Sequence, residues 1–164
     1  MTTLISFFIF CQAFGALVGV CTAIWGELAY IRAMRDGKLD TAERTHLHII
    51  ANGLRFGMTL LLLASFGLVI VAYLLHGILQ PALTANYWVF MALALLIIGI
   101  SWALSLKHIS FSLGSAIAFT AWWFLAYLTF GLLPAHSFSS AIAMFVVLTA
   151  IIYAVLHYVR LLAR

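Results

Sequence analysis

The side chains of this sequence that could do chemistry are few. The most suggestive are two imidazoles, His108 and His157, one carboxylate, Glu27, and three cations, Arg55, Lys107 and Arg160. Imidazole is the standard ligand of haem iron, so His108 and His157, facing each other from two helices, suit the axial positions of a b-type haem. Lys107, Arg160 and Arg55 would then hold the propionates by charge-assisted hydrogen bonds. Trp102, Trp122, Trp123, Phe119, Phe124 and Tyr127 would supply flat apolar walls. A transition-metal site of Glu27 with one or both histidines is the related alternative. A competing arrangement pairs Glu27 with Arg55, because an unpaired charge away from water is costly. His108 and His157 are then helix-end residues whose rings snorkel to the interface beside Lys107 and Arg160.

These residues carry information because of what surrounds them. Of 164 residues 66% are hydrophobic and only 7% are charged, with a mean hydropathy of +1.20. Soluble domains are about a quarter charged, so lipid must be the main solvent. A bilayer core of about 30 Å takes roughly 20 apolar residues. Five windows of that kind stand at about 4–30, 54–76, 87–107, 111–133 and 138–160, joined by a polar connection at about 31–53. None alternates as a strand would, which predicts an all-α bundle of five transmembrane helices in a single domain. Pro134 is expected to stop the fourth helix, since it has no amide proton to donate. Within the connection, Asp40 and Glu43 predict a capped helix that starts at Thr41 and continues into span two.

All the Lys and Arg residues fall on one side of a five-span arrangement: five between spans one and two, Lys107 after span three, and Arg160 and Arg164 after span five. The positive-inside rule then puts the C-terminus in the cytoplasm and the N-terminus outside. The net charge of +4 reflects topology, and no nucleic-acid partner is expected. With no basic residue before it, the first apolar stretch reads as a retained helix, and Cys11 and Cys21 read as small packing residues.

Polar residues within the spans form stripes. In span one Gln12, Gly15, Gly19, Thr22 and Gly26 share a face, and Gly15 with Gly19 makes a GxxxG pair suited to close helix packing, within the bundle or in a homodimer. Other stripes run through His48, Asn52, Arg55 and Thr59; through Ser101, Ser105, His108 and Ser112; and through Thr149, Tyr153, His157 and Arg160. Counted along the windows, Glu27, Arg55, His108 and His157 reach one plane at the inner edge of the hydrocarbon. His48 lies roughly 10 Å outside it, which argues against a three-histidine site. His76 and His136 are expected as interfacial residues, with Tyr73, Tyr87 and Trp88 in an aromatic belt near them. A polar half-channel of Gln12, Thr22, Glu27, Arg55 and the span-three serines leaves transport open. HExxH, CxxC, GxSxG and phosphate-loop motifs are absent, so the usual parts of zinc proteolysis, thiol redox, serine hydrolysis and nucleotide hydrolysis are missing.

The stretch from Phe10 to Leu75 has a glycine-rich first helix ending Trp25-Gly26, a short basic connection from Arg32 to Arg44, and a second helix opening Leu54-Arg55-Phe56-Gly57. In this it resembles small bacterial membrane proteins related to the copper-resistance protein D family, although Cys11 and Gln12 stand where many members carry an early histidine. The resemblance implies a bacterial inner-membrane bundle and allows metal or haem handling. From His108 and His157 the expected function is binding of haem b or a transition metal for electron transfer or metal handling, in a homo-oligomer or with a partner membrane subunit. The alternatives are a structural or assembly subunit, or a small proton or solute permease.

Overall fold

A computed structural model of the chain describes residues 2–36, 41–75, 80–132 and 137–162, with side chains described for 3–32, 49–75, 80–132 and 137–162. The described residues form five long helices: α1 (Thr2–Asp36), α2 (Thr41–Leu75), α3 (Ala85–Ser105), α4 (Phe111–Thr129) and α5 (Phe138–Leu162), with a single 3-10 turn at Pro81–Leu83 and no strand. All five are long and apolar enough to cross a bilayer. Helices are the form that satisfies every backbone donor and acceptor inside lipid. The helix at Thr41 runs unbroken into the second span. His46 and His48, whose side chains lie outside the described residues, belong to its first part, while His76 and His136 lie outside them entirely.

Helix α4 is the centre of the arrangement, packing against α1, α3 and α5, while α2 lies along α1. Its Ala116, Thr120, Ala121, Trp122, Phe124 and Leu125 are buried. Elsewhere the bundle turns large apolar side chains outward, Leu74, Trp88, Trp102 and Tyr158 among them, as a protein solvated by acyl chains does.

Two antiparallel seams set the register. A Cβ placed on Gly15 would stand 2.9 Å from the carbonyl oxygen of Gly57, and one on Gly57 would stand 2.9 Å from the carbonyl oxygen of Gly15, so α1 and α2 touch backbone to backbone. Thr22 fills the place above Gly53, and the indole of Trp122 lies where a side chain on Gly19 would have to go. The GxxxG pair is thus used up inside the protomer, by α2 and α4 together, and does not present a face to a second copy.

Helix ends follow from backbone geometry. At the end of α4 the Gly131 amide donates to the carbonyl of Leu128 (3.2 Å) and the Leu132 amide to that of Tyr127 (3.0 Å), with Gly131 at φ 65°. This is a Schellman stop, which glycine makes without a Cβ penalty. It ends the helix at Thr129, so Gly131 and not Pro134 terminates it, several residues before the expected Leu133. The same bonds close α3: Lys107 donates to Leu104 (3.1 Å) and His108 to Ala103 (3.0 Å), but here the left-handed position is held by Lys107 at φ 58°.

Candidate ionic site

At the end of the bundle where α1 and α5 finish and α4 begins, Glu27 and Arg160 form an ion pair, Arg160 Nη2 to Glu27 Oε2, at 2.7 Å, with side chains only 9% and 5% exposed. Arg160 makes the site. Its Nη2 also donates to Ser115 Oγ (2.7 Å), and its Nη1 donates to Ser112 Oγ (2.7 Å) and to the Ser112 carbonyl (3.4 Å). The guanidinium carbon stands 4.9 Å from the centroid of the Tyr30 ring, which in turn packs on Phe111 at 4.3 Å. One arginine therefore ties α1, α4 and α5 together by charge, hydrogen bonds and a cation–π contact.

Helix geometry places these groups. Ser112 and Ser115 sit in the first turns of α4, just after the N-cap Ser110, whose side chain accepts from the Leu113 amide (3.4 Å). Glu27 lies on the face of α1 that carries Ala16, Val20 and Ala23 into the core. On α5, Tyr153, His157 and Arg160 share a stripe, and the Tyr153 and His157 rings stack at 6.1 Å and 17°. Between them opens a cavity of about 300 Å³ lined by Tyr30, Ser110, Ser112, Tyr153, His157 and Arg160.

The expected pairing of Glu27 with Arg55 is corrected by this arrangement. Contacts of Gly26 with Ile50, Gly53 with Thr22 and Gly57 with Gly15 and Gly19 fix the α1–α2 register. Arg55 then stands level with Val20, about two turns or roughly 10 Å further into the bundle than Glu27. Its side chain is exposed on the outer face of α2, as are those of Asn52 and Thr59. Equal distance from the end of an apolar window did not mean equal depth, because α2 is helical well before its window begins.

Of the residues expected at a cofactor site, Glu27, His157 and Arg160 meet at this end of the bundle. His108 belongs to the same end, two positions before Ser110, but it is exposed in the turn after α3 and does not line the cavity. Lys107 beside it is exposed as well. Among the described residues no group of three or more His, Cys, Asp or Glu converges. The aromatic wall divides: Trp102 faces outward, Trp122 is sealed against Gly19, and Phe119, Trp123, Phe124 and Tyr127 line an apolar cavity of about 310 Å³ with Leu148 and Ile152.

The polar half-channel also divides. Gln12 lines a cavity of about 170 Å³ at the opposite end, with Ser65, Thr84, Asn86, Tyr87 and Thr129. Thr22 bonds back to the Val18 carbonyl at 2.7 Å, and Ser101 and Ser105 are exposed and bond to their own helix. Between the two ends lies the apolar core around Trp122, Leu61, Leu93 and Leu125. Sequence reasoning placed Arg160 in the right stripe but gave Ser115 no role and left Tyr30 unread. The signal for Ser112 and Ser115 was their place just inside an N-cap serine, which puts short hydroxyls at a helix start.

Among the described residues two buried donors lack acceptors, the indole Nε1 of Trp122 and the Nε of Arg160. Five apolar helices long enough to cross a bilayer, three of which enclose an ion pair near one end, fit a multi-pass integral membrane protein. No protein-family model matches the chain, and no curated protein or solved structure matches it.

Proposed function

We propose that the chain is a small permease of the bacterial inner membrane, N-terminus out and C-terminus in, that handles protons or a small solute at the Glu27–Arg160 centre. The observation that carries this is an enclosed ion pair lying directly behind an open polar cavity. Ionisable residues within membrane spans are expensive and mark solute and proton pathways by default, whereas a buried pair kept only for strength is a poor stabiliser. A second polar cavity at the opposite end, with a tightly packed middle at Trp122, gives two vestibules separated by a closed gate. The protein works in this reading as a homo-oligomer or beside a partner membrane subunit, since five spans without an inverted repeat are fewer than a typical secondary transporter uses. Reconstitution into liposomes tests it: proton or solute flux above that of empty vesicles is expected, and Glu27→Gln should remove it while helix content stays unchanged. Wild-type vesicles as tight as empty ones overturn the proposal.

One observation favours a second reading, that of a haem b or transition-metal protein: His157 lines the cavity next to Arg160. In that reading His157 would be the ligand on the cavity wall and Arg160 beside it would meet a propionate, while His108, Lys107 and Arg55, which stand outside the cavity, would take no part without a rearrangement of the bundle. Such a group would supply electron transfer. A Soret band in the purified protein that disappears with His157→Ala supports this reading, and a colourless, metal-free preparation from haem- and metal-replete cells removes it.

A further inference from the structure

We infer that the outer face of α2 around Arg55 docks a transmembrane helix of a partner subunit that carries a carboxylate near the middle of its span. The observation is one of depth. Helix α4 has 19 residues and runs for roughly 28 Å at 1.5 Å per residue, close to the thickness of a hydrocarbon core, so its two ends mark the edges of that core. Trp122, a little past the middle of α4, lies against Gly19 of α1, and Gly19 in turn meets Gly57 of α2. Arg55 is half a turn from Gly57. Its backbone therefore stands near the middle of the bilayer, roughly 14 Å from either edge.

The Arg55 side chain is exposed, on the face of α2 that also presents Phe56, Thr59, Leu63 and Phe66. Its guanidinium makes no ion pair or hydrogen bond among the described residues. Thr59, one turn on, spends its hydroxyl on the Arg55 carbonyl (2.9 Å) and does not serve the guanidinium. A charge turned toward acyl chains at this depth is expensive, and charges held within membrane spans pair with one another inside a bundle. From mid-core the headgroup phosphates lie further off than one arginine side chain extends, so snorkelling does not carry the charge out. Arg160, nearer the edge, is enclosed with Glu27, whereas Arg55, deeper, has no acid of its own chain. A second copy does not bring one. Glu27 is the one acid within a span and is taken by Arg160, while Asp36, Asp40 and Glu43 belong to the polar connection. Even Glu43 stands about three turns before Arg55 on α2, roughly 18 Å away in depth. Charge complementarity therefore selects an acidic helix from a different chain, seated on the apolar footing of Phe56, Leu63 and Phe66.

This inference rests on the partner-subunit form of the reading above and is independent of what the protein moves. Energy transfer between the labelled full chain and labelled leucine-rich synthetic helices, both in phosphatidylcholine vesicles, tests it. The peptides carry one glutamate at mid-span, one glutamate near an end, one glutamine at mid-span, or none of these. The mid-span glutamate peptide is expected to associate about tenfold more tightly than the others, the worth of one charge-assisted hydrogen bond. Arg55→Leu should abolish that preference, and Arg55→Lys should keep most of it. Association that does not distinguish the peptides, or a preference that Arg55→Leu leaves unchanged, overturns the inference. A preference for the end-placed glutamate, or no association at all, puts Arg55 among the headgroups and overturns it as well. Energy transfer between two copies of the chain that Arg55→Leu abolishes makes this face a contact between copies, which also sinks it. Liposome flux is read on the chain without peptide, so failure here leaves the permease reading standing, and absent flux leaves a selective contact at Arg55 standing.

Discussion

Helix α1 meets its neighbours through two unlike seams. Along α2, and against Trp122 of α4, the contact is made by absence of side chain: Gly15, Gly19 and Gly57 let backbones and an indole ring close to van der Waals distance. At its far end, against α4 and α5, the contact is made by charge, with Glu27 bound to an arginine that two serines and a tyrosine ring also hold. Between helices in lipid the hydrophobic effect supplies little attraction, since acyl chains are as apolar as leucine, so association rests on close packing or on polar bonds. This molecule uses one device along the middle of α1 and the other at its end, beside a cavity. Packing by glycine leaves no room for a ligand, whereas an ionic junction keeps hydrogen-bonding groups where a ligand can reach them.

The largest expected effect separates the two devices. Arg160→Met leaves Glu27 buried and unpaired and should cost about 3–5 kcal/mol in unfolding from mixed micelles, while the double variant Glu27→Gln/Arg160→Met should recover most of that loss. If the double variant is as unstable as the single one, the serine and tyrosine contacts, not the ion pair, hold the junction. Gly57→Leu should cost about 3 kcal/mol, because every rotamer of the new side chain starts from a Cβ set against the Gly15 backbone. A melting curve that matches the wild type would show that the glycine seam is not close packed.

Smaller effects are expected at the helix ends and on the outer face. Lys107→Gly relieves a left-handed lysine and should raise stability by about 1 kcal/mol, with Gly131→Ala lowering it by a similar amount. The pair of opposite signs, read by thermal denaturation, sharpens the comparison by giving the cost of one backbone conformation apart from any contact. Arg55→Gln should change stability by no more than about 0.5 kcal/mol. A loss approaching that of Arg160→Met would place Arg55 at the ionic junction after all.

Some features were legible in one dimension because the bilayer imposes them. The length of each apolar run, the helix beginning at Thr41 and the serviceable stripe of Tyr153, His157 and Arg160 follow from the 1.5 Å rise and the 3.6-residue turn. The stop of α4 could have been read from Gly131, whose place after a helical run marks a left-handed cap, but proline three residues on drew the boundary too late. The pairing of Glu27 could not be read. Two arginines, Arg55 and Arg160, both stood near a window edge, and hydropathy does not distinguish an edge at which the helix ends from one at which it continues.

The sequence by itself determined the solvent, the helical class and the number of crossings, because lipid admits few ways to satisfy a backbone and charges this scarce mark one end of each crossing. Only the tertiary structure decided which cation meets the single acid within a span and which glycine face is already filled. Those depend on the rotation of each helix and on its sliding register against a neighbour, quantities set by side-chain shape across two chain segments and absent from either one alone.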